Sequence, residues 1–169
     1  MLIYTQIFLS LVFLISGTIK VLEYSNFKTT ISKIGFKNKY LTLVSSGVVF
    51  IELLISGLIL FNQTRLLASL IITILTSVFF YLSIKMIING KSIDCNCFGS
   101  ISEEKLGFNT IIKSLILFIL CIIQFINKEP SGIEIASYRT ILDAISSSIG
   151  IMCIYLLLVS YNNLSSKLK

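Results

Sequence analysis

The sequence is poor in the residues that soluble domains and metal centres depend on. Its 169 residues include no histidine, no tryptophan and a single proline, and only 13% are charged. Because 55% of the residues are hydrophobic and the mean hydropathy is +0.93, an ordinary soluble domain is excluded. A zinc site built on a pair of cysteines would need further ligands, and the chain has no histidine to supply them. The composition predicts a protein embedded in a lipid bilayer, with almost no soluble domain.

Long apolar runs make up most of the chain. A helical membrane crossing takes about 20 apolar residues at a rise of about 1.5 Å per residue. Five windows reach that length: Leu2 to Leu22, Leu41 to Phe61, Leu66 to Ile88, Phe108 to Ile126 and Ile141 to Tyr161. Barrels would instead show alternating strands of about ten residues. The fold predicted is an all-α integral membrane bundle of about five transmembrane helices. The first run has no basic segment ahead of it, so we expect a retained helix and not a signal peptide.

Residues 24–40, between the first two windows, have an amphipathic pattern. Phe27, Ile31 and Ile34 recur at helical spacing, while Lys28, Lys33 and Lys37 point elsewhere. This pattern predicts a helix lying in the membrane interface. The alternative is a solvated basic loop.

Basic residues near the helix ends predict the orientation, if each window crosses once. Eleven lysines fall on one side: Lys20, Lys28, Lys33, Lys37, Lys39, Lys85, Lys91, Lys105, Lys113, Lys167 and Lys169. Three basic residues fall on the other: Arg65, Lys128 and Arg139. Because cytoplasmic loops carry the excess of lysine, we expect a multi-pass protein of the bacterial inner membrane with its N-terminus outside and its C-terminus inside. Topology thus explains these lysines without nucleic-acid binding.

Two cysteines, Cys95 and Cys97, stand one residue apart in the polar segment 89–107. A Cys-x-Cys pair closes a small, strained disulfide, and strain makes such a bond labile and exchangeable. Asn96 and Gly99 favour a turn that exposes the sulfur atoms. Two alternatives stay open: two unpaired loop cysteines, or a site for a soft ion such as Cu(I).

An acidic residue, Glu52, falls near the middle of the second window, where an ionised carboxylate needs a partner or a proton. Lys20, near the end of the first window, is the best candidate partner. Ser45, Glu52 and Ser56 share one helical face, which we expect to line the bundle interior. The Lys20 and Glu52 pair either takes part in function or only fixes packing.

The other two cysteines, Cys121 and Cys153, lie within the fourth and fifth windows. Cysteine inside a helix usually behaves as a small buried hydrophobe, so we expect both to pack in the core. Their different depths predict that the two do not form a disulfide with each other. Small residues in the last window predict close helix packing there: Ser146, Ser147, Ser148 and Gly150.

Three short signatures occur in order along the chain. Phe13, Ser16, Gly17 and Lys20 are followed by Phe27; Glu52-Leu53-Leu54-Ile55-Ser56-Gly57 comes next; and Cys95-Asn96-Cys97-Phe98-Gly99 is the third. Together they resemble the MauE family of methylamine utilisation proteins and, more distantly, the DoxX-like membrane proteins. The resemblance covers about residues 10–125, although a proline often found shortly before the glutamate is absent here.

The resemblance implies a four-helix core in residues 1–127, with an interfacial helix at about 25–38 and the Cys-x-Cys loop at 89–107. Residues 128–169 would then add an outer loop, a fifth transmembrane helix and a basic tail. The implied activity is redox-associated: a membrane protein that supports maturation or disulfide formation of an exported partner. The partner would be that exported protein or a thioredoxin-like protein.

By this resemblance the candidate site residues are the exchanging thiols Cys95 and Cys97, with Lys20, Glu52, Phe98 and Gly99 in support. The chain would be a candidate thiol–disulfide oxidoreductase. No cofactor is predicted, and a quinone has no support in the sequence. Methylamine itself is not implied, because nothing in this chain resembles an amine-oxidising cofactor site.

The predicted topology conflicts with this activity. It places the cysteine pair on the cytoplasmic side, where thiols are usually kept reduced, whereas partner maturation occurs outside. Either the loop folds back into the bilayer, or the topology is inverted, or the pair relays electrons outward. Two other functions stay open: a non-catalytic assembly or immunity partner of another membrane protein, and a small ion- or proton-coupled carrier that uses Glu52.

Overall fold

The computed structural model describes residues 2–35, 38–88, 108–127 and 130–167, and the regular structure in these ranges is all α-helix. The helices are α1 (Leu2–Leu22), α2 (Tyr24–Ile34), α3 (Asn38–Leu58), α4 (Arg65–Ile88), α5 (Phe108–Ile126) and α6 (Tyr138–Lys167). The predicted all-α bundle is confirmed.

Four of the described helices are long and apolar enough to cross a membrane. Their apolar stretches are Leu2–Leu22, Lys39–Leu58, Arg65–Lys85 and Tyr138–Tyr161. Helix α5 is 19 residues long, and its described apolar stretch, Ser114–Ile126, is shorter. At about 1.5 Å per residue, the whole of α5 nearly matches the hydrocarbon thickness of about 30 Å. The chain is therefore a multi-pass helical membrane protein.

Helices α1 and α3 pack antiparallel, which allows the two ends of the bundle to be told apart. The Ser10 hydroxyl on α1 donates to the Ser56 carbonyl on α3 at 2.7 Å, and Lys20 of α1 contacts Glu52 of α3. Residue numbers therefore rise along α1 as they fall along α3. We call the end that holds Leu2 and the turn 59–64 the Gln6 end, and the end that holds α2 the Lys20 end.

Helices α4 and α5 form a closely packed antiparallel pair. Ala68 and Ile72, in the first third of α4, share a hydrophobic cluster with Cys121, near the end of α5. Helix α4 therefore ends, at Ile88, and α5 begins, at Phe108, at the Lys20 end. These two residues flank the chain segment that carries Cys95 and Cys97.

Helix α2 follows α1 after one residue, Glu23, and covers the Lys20 end of α3. Phe27 and Ile31 are buried, and they cluster with Leu41 and Val49. The helix stops because Gly35 takes a left-handed conformation, with φ of 108°, and its N–H donates to the Ser32 carbonyl. A helix is thus present where the amphipathic pattern predicted one; its position in the membrane interface stays a prediction.

Helix α6 runs parallel to α1 and packs on it along one narrow face. Ala144 clusters with Ile3 and Ile7 of α1, and only 11% of the most apolar window of α6 is buried. The expectation that Cys153 packs in the core is wrong, because this residue lies on the exposed side of α6. Cys121 is fully buried, as predicted, and both thiols are free.

The small residues of α6 also differ from their prediction. Ser148 is buried on the face toward α1, but Ser146 and Ser147 are exposed, and an added Cβ at Gly150 would meet nothing within 4 Å. Of these four small residues, only Ser148 is therefore closely packed within this chain.

Candidate functional site

The most unusual site among the described residues is a charged pair buried between α1 and α3. Lys20 lies in the last turn of α1, and Glu52 lies within α3 on the face it shares with Ser45 and Ser56. All three α3 side chains are at most 5% exposed, which confirms that this face lines the bundle interior. The periodicity of α3 explains the burial, since positions seven and eleven apart fall on one side of a helix.

The pair has the geometry of a two-pronged salt bridge. Lys20 Nζ lies 2.6 Å from Glu52 Oε1 and 2.7 Å from Oε2. The two side chains are only 1% and 2% exposed. The predicted partner of Glu52 is confirmed, and both carboxylate oxygens accept from the same ammonium group.

Ser16 completes the polar contacts. Lys20 Nζ donates to Ser16 Oγ at 2.6 Å, and Ser16 Oγ donates to Glu52 Oε2 at 3.4 Å. The lysine ammonium has three N–H donors, and these contacts give it three oxygen acceptors. Charges in a low-dielectric interior are tolerated when they are paired and hydrogen-bonded in this way.

Gly17 lets the two helices approach closely enough for the pair to form. A Cβ at this position would lie 2.8 Å from Leu53 Cδ2 and 3.0 Å from Leu53 Cγ. Any larger residue would push Leu53 aside at the level of Glu52. The glycine of the Ser16-Gly17 dipeptide therefore has a packing role beside the ion pair.

Phe27 of α2 covers the ammonium group from the Lys20 end. Lys20 Nζ lies 5.5 Å from the centroid of the Phe27 ring, within the range of a cation–π contact. Phe27 is itself only 5% exposed. One lysine thus contacts groups from three helices: its own α1, α3 through Glu52 and α2 through Phe27.

The two sequence signatures that fall on described residues therefore converge on one site. Ser16, Gly17, Lys20 and Phe27 come from the first signature, and Glu52 comes from the second. The sequence identified Lys20 and Glu52; it did not predict the roles of Ser16, Gly17 or Phe27. Their fixed spacing from Lys20, at four and three residues before it and seven after it, is the signal that could have revealed them.

A second polar cluster, at the Gln6 end, was missed by sequence reasoning. Ser131 accepts from Gln6 Nε2 at 2.9 Å and from the Arg65 guanidinium. Arg65 also donates to the Asn127 carbonyl just after α5, at 3.2 Å, and the Ser131 N–H donates to Asn62 Oδ1. We call Gln6, Asn62, Arg65 and Ser131 the polar clamp. Its signal in the sequence is a glutamine inside the first apolar run.

Gly132 lets the segment after α5 lie against the turn between α3 and α4. A Cβ there would lie 2.8 Å from the backbone nitrogen of Asn62 and 3.1 Å from the Leu60 oxygen. The Ile133 N–H donates to that same Leu60 carbonyl at 3.0 Å. The polar clamp and Gly132 together connect the segment that leads into α6 to the rest of the bundle.

The remaining predicted site residues lie outside the described residues. These are Cys95, Cys97, Phe98 and Gly99. The described geometry places only the flanking residues, Ile88 and Phe108, at the Lys20 end. Lys20, in the last turn of α1, lies toward this same end, while Glu52 lies six residues before the opposite end of α3.

Comparison with known proteins identifies the family. The model of the family described as methylamine utilisation protein MauE matches residues 1–126. The match spans α1 to α5 and includes the ion pair and the Cys95 to Gly99 box. Neither the curated proteins nor the solved structures contain a significant match to this chain. Since the matched region covers most of the chain and the helices are those of a multi-pass membrane protein, the chain belongs to the MauE family.

Proposed function

We propose that this protein is a membrane-embedded thiol–disulfide protein that uses Cys95 and Cys97 to support maturation or disulfide formation of an exported partner. The observation that carries the proposal is the family match over residues 1–126, which includes the cysteine box together with the Lys20 and Glu52 signatures. The α4 and α5 pair supports it, because it brings both ends of the cysteine segment to one end of the bundle.

The exchange chemistry needs only the two thiols and a partner. In the oxidising direction, a partner thiolate attacks the Cys95–Cys97 disulfide and forms a mixed disulfide, releasing one of the two cysteines as a thiolate. The partner's second thiolate then attacks the partner's sulfur atom in the mixed disulfide, and the second cysteine of the pair is released as a thiolate. The partner leaves with a disulfide, and Cys95 and Cys97 remain as a dithiol that has gained two electrons and, on protonation, two protons.

Lys20, Glu52 and Phe27 have a positioning role in this proposal. Their buried network leaves no charged group open to a substrate, but it joins α1, α2 and α3, and α1 ends toward the side where the cysteine segment begins and returns. A fixed helix end limits where the cysteine pair meets its partner. Phe98 and Gly99, which follow the pair directly, are proposed to shape the turn that presents the sulfur atoms.

The orientation belongs to the same proposal. Among the described residues, the Lys20 end carries Lys28, Lys33, Lys39 and Lys85, and the Gln6 end carries Arg65 and Arg139. Positive-inside bias then puts the Lys20 end, and with it the attachment points of the cysteine segment, in the cytoplasm. In this orientation the pair exchanges electrons with cytosolic thiols or relays them outward.

The test is thiol trapping in intact cells. A chain carrying Cys121→Ser and Cys153→Ser keeps only the cysteine pair and is treated with a membrane-impermeant or a permeant maleimide, with and without prior reduction. Labelling that requires reduction supports a disulfide in the cell. Free labelling of both thiols without reduction, and retained function in a Cys95→Ser, Cys97→Ser variant, would overturn the proposal.

A second candidate function is binding of another membrane protein as an assembly or immunity partner. Helix α6 favours it, because this helix lies beyond the family match and is mostly exposed. This candidate predicts that the cysteine-free variant still works. The carrier hypothesis has less support, since Glu52 is already bound through both oxygens to Lys20.

A further inference from the structure

A cleft between α4 and α5 is lined by hydroxyl-bearing, aromatic and aliphatic side chains. Its residues are Thr76, Ser77, Phe80, Ser114, Leu115 and Phe118, and they enclose a volume of about 280 Å³. We call it the α4–α5 cleft. Its volume is near the lower end of the range for small-molecule sites, about 300 to 1,000 Å³. It is large enough for a single or fused ring.

Three hydroxyl-bearing residues line the cleft, and two of them, Thr76 and Ser114, are buried. Thr76 is 4% exposed and Ser114 is 7% exposed. Thr76 Oγ1 donates to the Ile72 carbonyl at 2.8 Å, and Ser114 Oγ donates to the Ile111 carbonyl at 2.9 Å. A hydroxyl has one hydrogen and two lone pairs. The Ser77 hydroxyl, which is exposed, likewise donates to the Thr73 carbonyl at 2.7 Å. With their hydrogens used within their own helices, the lining hydroxyls can act only as acceptors toward a ligand in the cleft.

The sides of the cleft are aromatic and open to the bilayer. Phe80 comes from α4 and Phe118 from α5, and Phe118 is 38% exposed. Aromatic side chains favour stacked or edge-on contact with a flat ring. Since the cleft lies near the middle of both helices, a ligand reaches it from the hydrocarbon region, not from water.

These features describe a ligand with a flat ring, hydroxyl donors and lipid solubility. An acyl chain would fill the space but leave the lone pairs of Thr76 and Ser114 unused. We infer that the α4–α5 cleft binds the ring of an isoprenoid quinol, with its hydroxyls donating to Thr76 and Ser114 and its tail in the bilayer. The choice of this ligand rests on the proposed thiol–disulfide function.

The redox balance links the cleft to the cysteine pair. A Cys95 and Cys97 dithiol that becomes a disulfide loses two electrons and two protons, and a quinone that becomes a quinol gains both. The cleft is on the helix pair that flanks the cysteine segment. Ser114 is six residues from Phe108, and Phe80 is eight residues from Ile88. These separations are about 9 Å and 12 Å along the helix axes.

Selectivity for the reduced form follows from the acceptor lining. A quinone carbonyl has no hydrogen to donate to Thr76 and Ser114, whereas a quinol has two. We expect the quinol to bind about tenfold more tightly than the quinone, the effect of about one hydrogen bond. Tighter binding of the reduced form makes the bound quinone a stronger oxidant of the dithiol.

The test uses the full chain in nanodiscs of quinone-free lipid, with a short-chain ubiquinol or its quinone added under anaerobic conditions. Bound ligand is extracted and quantified. The Thr76→Val, Ser114→Ala variant removes both buried acceptors at nearly constant shape and should bind the quinol about tenfold more weakly or worse. Ser83→Ala is the matched control, because the Ser83 hydroxyl is also buried and bound within α4 but lies outside the cleft.

The outcomes separate this inference from the proposed function. Equal quinol binding by the double variant, or no quinol binding by the unmodified chain, overturns the cleft assignment. If the cysteine pair is trapped as a disulfide in cells but no quinol binds, only the cleft assignment fails. If the quinol binds as described but the pair is never oxidised, the cleft assignment stands and the thiol–disulfide function fails.

A Leu115→Trp variant, which fills the cleft mouth, should lose binding without removing any hydroxyl.

Discussion

Lys20 and Glu52 neutralise each other inside the bundle, so the loss of either one leaves a buried charge without its counterion. Removing one member of a buried pair is far more costly than removing both, because the remaining group must be neutralised or exposed. Ser16 adds to this asymmetry, since it hydrogen-bonds to both partners. Stability at this site therefore depends on the two residues together.

We predict that Lys20→Met or Glu52→Leu alone lowers the free energy of unfolding by about 3 kcal/mol or more. The double variant Lys20→Met, Glu52→Leu should recover most of the loss. The measurement is a double-mutant cycle by denaturant unfolding in detergent micelles, with Lys39→Met as the control for an exposed lysine. Additive losses in the double variant would mean that the two charges stabilise the bundle independently of each other.

Sequence reasoning at the residue scale succeeded where a charge sits in an apolar helix. Glu52 and Lys20 are conspicuous, because ionised groups in a membrane require a partner. Cys153 was misplaced because hydropathy does not distinguish a side chain that faces lipid from one that faces the core. The polar clamp depends on contacts between residues more than 60 positions apart, such as Arg65 and Ser131, and no local pattern encodes them.

At the scale of elements, the helices agree closely with the apolar windows, and the differences have local causes. Helix α6 begins at Tyr138, three residues before its window, because the Ser137 hydroxyl accepts the Thr140 N–H and caps the helix. Helix α3 ends at Leu58 instead of Phe61, because the chain tightens there and the Leu60 N–H donates to the Gly57 carbonyl. Hydropathy alone does not detect caps and tight turns.

Helix α2 depends on Phe27 for its attachment to the bundle. The ring contacts Lys20 and shares a cluster with Leu41 and Val49 of α3. We predict that Phe27→Ala costs about 3 kcal/mol and that the loss is local. Amide hydrogen exchange should increase in residues 24–34 while the middle of α3 keeps its protection.

The matched control for Phe27 is Phe50→Ala. Phe50 lies on α3 and is 67% exposed, so its truncation removes an equal side chain with few contacts inside the chain. Faster exchange throughout the bundle in Phe27→Ala would show instead that α2 and the core unfold as one unit.

At the scale of the whole molecule, the helix directions decide which segments share a side of the membrane. The turn 59–64 and the start of α6 lie together at the Gln6 end, and α2 lies at the other. The positive-inside bias predicts that the Gln6 end lies outside. The helix directions show which segments share one side of the membrane, and the distribution of lysines predicts which side is cytoplasmic.

We predict that Gln63→Cys, in a chain without its native cysteines, reacts with an impermeant maleimide in intact cells. Ser32→Cys should react only after the membrane is permeabilised. Both positions are exposed on described residues at opposite ends of the bundle. The reverse labelling pattern would invert the topology and place the cysteine segment outside.

The direction of α6 decides whether the number of membrane crossings is even or odd. The region matched by the family model ends after α5, at the Gln6 end, where α1 also begins. With an even number of crossings, both ends of this region would face the same compartment. Helix α6 runs parallel to α1 and makes the number of crossings odd. If α1, α3, α4, α5 and α6 each cross once, we expect the end of α6 to face the same compartment as the ends of α4 and α5 that flank the Cys95 and Cys97 segment. A protein fused or recruited after α6 would then work beside those thiols, while one attached before α1 would be separated from them by the bilayer.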